Sequence, residues 1–172
     1  MVKENLETER LALRMFRESD TDAYFEMVSD PEVMRFLGGK TMSRQEAWRN
    51  MAMVIGHWHL RGYGFWAVEE KGSGEMVGRV GCWNPEGWPG LEVGWALRRR
   101  FWGRGYATEA ARASVRYAFD VLGQARVISL IAPENVNSVR VAERLGERPA
   151  GEWEVFRTKV VVHAVGRDEF GR

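Results

Sequence analysis

Residues 100–110 read RFWGRGYATEA, and no other segment of the chain is as informative about the fold. A β-like run, Leu91–Leu97, precedes it, and a helical pattern with a face of mostly small side chains extends over Tyr106–Leu122. Gly103 and Gly105 lie between the two runs and allow a tight turn. The stretch therefore predicts a strand, a glycine turn and a helix that packs closely on a sheet.

The same turn has the composition of a phosphate-binding site. Glycines let backbone N–H groups converge on one point, and a helix N-terminus adds partial positive charge and unpaired donors. Four arginines surround the turn: Arg98, Arg99, Arg100 and Arg104. The pattern indicates a polyanionic ligand, but two glycines alone are equally compatible with a structural turn beside a solvated run of arginines.

Two better-known phosphate motifs are excluded. Thr108 stands where a G-x-G-x-x-G dinucleotide fingerprint has its third glycine. A P-loop needs Gly-Lys-Ser/Thr after the glycines, and none follows. A nucleotide-binding enzyme is therefore the weakest of the readings.

The rest of the chain predicts a mixed α+β protein. Ser43 and Glu46 form a capping-box signature for a helix that ends at Gly62. Other helices are expected to begin at Ser19 or Asp20, Asp30 and Asn135, and strands are expected at Leu11–Phe16, Phe65–Glu69, Met76–Trp83, Val127–Ile131, Glu152–Arg157 and Lys159–Val165. With no repeat or linker in the sequence, we expect one domain, residues 1–172, with helices on both faces of its sheet.

Composition limits the partners and the compartment. The 172 residues carry a net charge of +1, which predicts no recruitment of nucleic acid or of an anionic membrane. A single cysteine, Cys82, excludes an internal disulfide framework and, without a cysteine cluster, argues against a metal site. The sequence has neither a signal-peptide pattern nor a membrane-length apolar run, so we expect a cytoplasmic protein.

Three motifs in order carry a family resemblance. The first is EVGWAL at residues 92–97 with the R-x-x-G-x-G-YATEA pattern at residues 100–110, and the second is Asn135-x-x-Ser138 followed by Arg144-Leu145-Gly146. Together they resemble the acyl-CoA-binding motifs of the GNAT superfamily of N-acyltransferases. The third, ETERLALR at residues 7–14, resembles the N-terminal opening of the ribosomal-protein-alanine/serine acetyltransferase branch of that superfamily.

The resemblance implies a strongly bent mixed sheet whose fourth and fifth strands splay apart, and acetyl-CoA as the acyl donor. It implies that the backbone of Trp95, Ala96 and Leu97 pairs with the pantetheine amides. It further implies that the backbone of residues 100–108, including Tyr106, Ala107 and Thr108, holds the pyrophosphate, and that Asn135 bonds to the cofactor. An N-cap is the equally weighted alternative for Asn135.

In that family the amine attacks the thioester directly. We expect Glu92 to act as the base, through water, with its pKa raised by nearby tryptophans; an ordinary strand-end carboxylate is the alternative. A tyrosine commonly protonates the leaving thiolate, but Ala142 occupies its position here. Ser138 is the expected substitute, as a hydrogen-bond donor to the sulfur. Glu147 departs from the family's usual aromatic.

No sequence motif identifies the acceptor or the residues that bind it. The aromatic-rich composition suggests the walls of a cleft, and the candidates are Phe36, Leu37, Trp58, Trp83 and Trp88. His57, His59 and His163 lack a metal-like spacing and are expected to be structural.

The leading interpretation is an N-acetyltransferase that acts on a peptide or protein N-terminus or on a small amine, with a homodimer left open. An acyl-CoA-binding regulator without turnover is the alternative, because the usual tyrosine is missing.

Overall fold

The computed structural model describes residues 5–171. Over that range, eight strands form one mixed sheet in the spatial order β1-β2-β3-β4-β5-β6-β8-β7. The strands are β1 Leu6–Glu7, β2 Leu11–Arg14, β3 Phe65–Glu70, β4 Met76–Trp83, β5 Glu92–Leu97, β6 Arg126–Ile131, β7 Arg148–Val155 and β8 Thr158–Gly166. Neighbouring strands are antiparallel except for β5 and β6, which are parallel.

Five α-helices in the described range cover the two faces of the sheet. They are α1 Thr21–Ser29, α2 Pro31–Met34, α3 Arg44–Arg61, α4 Tyr106–Asp120 and α5 Val136–Arg144. On one face α4 packs against residues such as Val80 and Val93. On the other face α1 and α3 pack against residues such as Ala67 and Ala96. The predicted mixed sheet with helices on both faces is confirmed.

Local sequence signals set the helix ends. Ser43 and Glu46 form the predicted capping box of α3, and Gly62 ends the helix in the left-handed conformation with φ of 75°. Small residues of α4, including Ala110 and Ala111, are fully buried, so this helix lies close to the sheet as its composition predicted.

Strand boundaries agree less well at the edges of the sheet. The two-residue strand β1 was not predicted, and β7 begins at Arg148 instead of Glu152. Nearly all of β7 is exposed, and its pairing with β8 shifts register between Pro149 and Glu152. An exposed edge strand with a bulge lacks the apolar alternation on which the prediction depended.

The strands β5 and β6 form a fork. They pair at one position, Glu92 with Ile128, where the Ile128 N–H donates to Leu91 O over 3.0 Å. Beyond this pair the strands diverge, which leaves a cleft open between them. The resemblance implied a splay at this place in the sheet.

Candidate active site

A cavity of about 650 Å³ occupies the fork between β5 and β6. Its wall includes residues 92–97 of β5, residues 101–103 and 105–108 of the glycine turn, residues 129–132 around the end of β6, and residues 134–138 at the start of α5. The predicted anion site and the predicted catalytic residues thus share one cleft.

One end of the cavity is built from backbone donors. Gly103 and Gly105 have φ of 76° and 80°, which only glycine adopts without strain, and Gly105 caps α4 without a side-chain hydrogen bond. In residues 5–171 the N–H groups of residues 103–108 have no hydrogen-bond partner. Free N–H groups at the N-terminus of a 15-residue helix can bind a phosphate.

The arginines near this turn do not contribute as the sequence suggested. The side chain of Arg98 is buried, donates to Met76 O over 2.7 Å and pairs with Glu26. It therefore braces β4 and α1, and its prediction as a cofactor ligand was wrong.

The other three predicted arginines also have carboxylate partners in the chain. The ion pairs are Arg99–Asp30 at 2.9 Å, Arg100–Glu75 at 2.7 Å and Arg104–Glu70 at 3.7 Å. Of the three, Arg104 borders a surface depression together with Gly103, Gly105 and Thr108. Positive charge at the turn therefore comes mainly from the helix terminus, with Arg104 close by.

The backbone of β5 faces the cleft at alternate residues. Ser129 Oγ donates to Val93 O on the β6 side, so Trp95 and Leu97 face the same side by the alternation of an antiparallel ladder. Leu97 O already accepts from Trp102 Nε1 at 2.8 Å. Ala96 pairs with Arg79 in β4, which leaves Trp95 with free backbone groups on the cleft side.

Ser138 and Asn135 lie together at the start of α5. Asn135 caps the helix, since its Oδ1 accepts from the Ser138 N–H over 3.2 Å. Ser138 Oγ accepts from Trp95 Nε1 over 3.1 Å, so its own hydroxyl proton remains available to the cavity. Ala142 is fully buried and supplies no polar group.

Glu92 stands at the fork itself. Its Oε2 accepts from Trp88 Nε1 over 2.7 Å, and its carboxylate also accepts from the Leu130 N–H. Burial raises the pKa of Glu92 to about 7, against the opposing effect of these two hydrogen bonds and of the Arg79 charge. The residue also borders the cavity, so its carboxyl can exchange a proton with a molecule bound there at neutral pH.

A second buried carboxyl lies behind the fork. Glu147 Oε1 lies 3.0 Å from Ser129 Oγ, while its Oε2 has no partner in the described residues. Burial, together with the negative charge of Glu92, raises the pKa of Glu147 to about 8. One serine proton cannot serve both Val93 O and a carboxylate, so a protonated Glu147 that donates to Ser129 completes the network.

The predicted acceptor residues divide into two groups. Phe36 and Leu37 line the cavity. Trp58 does not: it is buried in the core against Trp66 and donates from Nε1 to Phe65 O over 2.8 Å, so its prediction as a pocket residue was wrong.

Trp83 and Trp88 act as supports beside the cavity. The ring of Trp83 is stacked between His57, at 4.2 Å between ring centroids, and Phe65, at 5.0 Å. The indole of Trp88 holds Glu92, and its ring lies 6.5 Å from that of Phe156. Neither is part of the cavity wall itself.

His57 is structural, as predicted. Its Nδ1 lies 2.8 Å from Tyr63 O, and its Nε2 accepts from the Asn84 N–H over 3.3 Å. Burial lowers the pKa of His57, so the neutral ring joins α3 to the segment after β4. In the part of the chain that the structure describes, no cluster of His, Cys, Asp and Glu could hold a metal ion. No helix there is long and apolar enough to cross a membrane.

Sequence reasoning missed three polar residues of the site. Ser129 interrupts an apolar β-branched strand, which was a usable signal for a residue in a special role. Trp102 lies inside the glycine motif and was read only as part of it. Arg79 lies in β4 without any local signal, because only the fold brings it to the cavity.

Comparison with known proteins supplies the family. Residues 10–148 match the acetyltransferase (GNAT) domain. The protein YkkB of Bacillus subtilis is 37% identical over 153 residues, 84% of this chain and 85% of that protein. The N-acetyltransferase p20 of Bacillus licheniformis is 30% identical over 150 residues, 86% of this chain and 84% of that protein.

A solved structure agrees with the sequence relatives. The acetyltransferase from Agrobacterium tumefaciens superposes with a TM-score of 0.84 at 30% identity, covering 95% of this chain and 94% of that one. The forked sheet, the glycine turn and the match over residues 10–148 lead to one conclusion: this chain is an acetyltransferase of the GNAT family, whose reaction is acetyl transfer from acetyl-CoA.

Proposed function

We propose that the protein transfers acetyl from acetyl-CoA directly to a primary amine, either a peptide or protein N-terminus or a small amine. The observation that carries the proposal is the Glu92 carboxyl, held at the fork with a pKa of about 7 in the same cavity as the glycine turn. A base with a pKa near the working pH is suited to accept the proton of an attacking amine.

The residues of the cavity fit acetyl-CoA. Its pyrophosphate would accept hydrogen bonds from the unpartnered N–H groups of residues 103–108, with Arg104 close by. Its pantetheine amides would pair with the free backbone groups of Trp95. When bound, acetyl-CoA supplies the thioester that the amine attacks.

Glu92 is proposed as the general base. An alkyl amine titrates near 10.4 and a peptide α-amine at about 7.7–8.0, so at neutral pH either acceptor must lose a proton before it attacks. Glu92 would take this proton, directly or through one water, since its raised pKa of about 7 lies near the working pH. Trp88 and the Leu130 N–H would keep the carboxylate oriented.

Ser138 is proposed as the group that stabilises the departing thiolate. Its oxygen accepts from the Trp95 indole, so its hydroxyl proton is directed elsewhere and can donate to the sulfur. A serine hydroxyl is too weak an acid to lose its proton, and solvent would therefore supply the proton of the free thiol. Ala142 leaves no tyrosine for that step.

The missing tyrosine also motivates a second candidate, an acyl-CoA-binding regulator. Two measurements separate the candidates: calorimetric titration with acetyl-CoA, and release of free thiol across a panel of peptide and small amines. The enzyme binds and releases thiol, whereas the regulator binds and releases none with any amine. Absence of both signals would remove both candidates.

In this proposal, residues 1–172 form one acyltransferase domain, and the protein acts in the cytoplasm. A homodimer is the assembly to test, because α3 exposes Trp48, Met53 and Leu60. Sedimentation velocity would distinguish a dimer from a monomer.

A further inference from the structure

Arg79 is an arginine of the cavity wall without a carboxylate partner. The two buried arginines of the described range, Arg14 and Arg98, pair with Asp20 and Glu26 respectively. Arg79 is also partly buried, yet it forms no ion pair with any residue of the described range. A partly desolvated guanidinium without a counter-ion is costly unless it serves a ligand.

Neutral groups hold this guanidinium in place. Its Nη1 lies 2.9 Å from the hydroxyl of Tyr24 and 3.3 Å from Asn50 Oδ1, and it lies 4.9 Å above the ring of Phe65. Burial raises the pKa of Tyr24, so the phenol stays protonated and adds no negative charge. These contacts fix the position of the Arg79 guanidinium, but none of them supplies a negative charge to balance it.

The position of Arg79 relates it to Glu92. Arg79 pairs with Ala96 and Trp83 pairs with Glu92, so Arg79 and Glu92 share the α1–α3 face of the sheet. The two pairs are four residues apart, about 13 Å along the strands. The Arg79 charge reaches far enough to lower the pKa of Glu92.

The ring of Phe65 lies over the sheet between the two side chains. Gly81 and Gly94 form the pair between them and have no side chains. A Cβ built on Gly94 would lie 3.1 Å from the ring of Phe65 and 3.5 Å from Glu92 Oε1. Phe65 therefore forms an aromatic surface between the guanidinium and the carboxyl.

The remaining charges of the cavity do not favour a polycation. Apart from Arg79, the carboxyl and guanidinium side chains that line it are Glu32, Glu92, Glu134, Arg35, Arg140 and Arg144. Carboxyl and guanidinium groups thus balance before Arg79 is counted, and Arg79 leaves one excess positive charge. A polyamine would bring a second ammonium toward that charge and be repelled.

We propose that the acceptor is a small amine that also carries a carboxylate, which Arg79 binds while the amine faces Glu92. The inference rests on the proposed function and refines it to the amino-acid class of acceptors. A guanidinium binds a carboxylate through two parallel N–H donors, and this geometry fixes orientation as well as affinity. The reaction would join acetyl to nitrogen, release the coenzyme thiol and leave the carboxylate unchanged.

Matched acceptors test the proposal. The panel consists of ω-amino carboxylates with one to five methylene groups, the corresponding amides, and diamines of the same length. Thiol release gives kcat/KM for each. For the best chain length we expect the carboxylate to exceed its amide by at least about tenfold, since hydrogen bonds to charged groups contribute about 1.5–3 kcal/mol.

Variants of Arg79 test whether this residue causes the preference for the carboxylate over its amide. R79Q should lose the preference, with kcat/KM for the amide changed by less than about threefold and the affinity for acetyl-CoA unchanged. R79K keeps the positive charge but lacks the two parallel N–H donors of the guanidinium, so it should retain part of the preference for the carboxylate. R35Q removes an exposed arginine of the same cavity and should leave the preference intact. A purely structural Arg79 would lower both rates together, and a cofactor ligand would weaken acetyl-CoA binding; either result overturns the proposal.

Binding without turnover separates this inference from the proposed function. Calorimetry in the presence of coenzyme A compares each ω-amino carboxylate with its amide for the wild type, R79Q and R79K. A carboxylate preference that R79Q abolishes supports the anion subsite even if no thiol is released, and in that case the acetyltransferase proposal fails instead. If carboxylates and amides are used equally and thiol release is normal, the carboxylate subsite is contradicted and the acetyltransferase proposal stands.

Discussion

The two ends of β5 build their parts of the cavity in opposite ways. Beyond Leu97, unpartnered N–H groups of the backbone form the binding surface, while the arginines nearby are paired with carboxylates of the chain. At Glu92, by contrast, side chains form the binding surface: Trp88 from a loop holds the carboxylate, and Arg79 from β4, opposite Ala96, lies on the same face of the sheet.

The difference separates the binding of acetyl-CoA, which must stay constant, from the choice of acceptor, which can vary. A backbone site depends on chain direction and on glycines, so it suits a ligand that every reaction cycle uses. A side-chain site changes with single substitutions and can define the acceptor. Perturbations at the two ends should therefore affect different quantities: affinity for acetyl-CoA at one end, catalytic rate and acceptor choice at the other.

The largest effect is expected for Glu92→Gln. The amide keeps the size of the side chain but cannot take a proton, so kcat should fall by about 10²–10⁴ with little change in acetyl-CoA affinity. Thiol release at saturating acetyl-CoA measures it. Glu134→Gln is the control, since Glu134 lines the same cavity but is exposed, and its kcat should stay within about threefold.

Gly105→Ala tests the backbone end. At φ of 80° an added Cβ introduces strain of about 1–3 kcal/mol, and relaxation of the turn would misalign the free N–H groups. We expect the Kd for acetyl-CoA to rise about tenfold or more by calorimetry. Gly123→Ala adds the same kind of strain, at φ of 68°, beyond the other end of α4. It should lower the melting temperature to a similar degree without changing Kd, and equal Kd values for both variants would contradict a backbone anion site.

Ser138→Ala should have a smaller effect. Loss of one hydrogen bond to a developing thiolate corresponds to about a five- to tenfold decrease in kcat, with acetyl-CoA affinity retained. Trp95→Phe removes the indole N–H that orients Ser138 and should decrease kcat less. Steady-state kinetics on both variants measures the order, and an unchanged kcat in Ser138→Ala would exclude a role for this hydroxyl.

A separate effect, on stability and not on the reaction, is expected for Glu147. Its pKa is raised from 4.5 to about 8 on folding, so between these values the folded chain holds a proton that the unfolded chain has released. Stability therefore falls as pH rises through this window, by up to about 1.4 kcal/mol per pH unit, and Glu92 adds to the fall up to about pH 7. Urea unfolding at pH 5 and pH 8 should show a smaller difference in Glu147→Gln than in the wild type. An identical difference would mean that Glu147 is ionised in the folded protein.

The contrast between the two ends also explains what the sequence could predict. The fold and the cofactor end follow from local patterns: glycine spacing, small residues along α4, and a capping box at Ser43. These act within a few residues of one another. The pairing of Arg98 with Glu26 could not be foreseen, because it joins residues 72 positions apart, so the arginine run was misread as a phosphate cluster.

The acceptor end was less predictable for the same reason. Glu92 was found through its place in the motif, but the Leu130 N–H that holds it and the guanidinium of Arg79 in the same cavity are brought there only by sheet pairing. Trp58 shows the converse error. Its aromatic character suggested a cleft, whereas helix α3 turns it into the core.

The central claim, that Glu92 accepts the proton of the attacking amine, is tested most directly by the pH dependence of kcat/KM. With an alkyl amine acceptor of pKa near 10.4, the acceptor alone gives a slope of one on a logarithmic plot over pH 5.5–9. In the wild type, Glu92 takes the proton from the bound ammonium ion, so the slope should be one below about pH 7, where Glu92 ionises, and the plot should level off above that pH. Glu92→Gln should show a slope of one throughout. The same bend near pH 7 in both proteins would contradict the account.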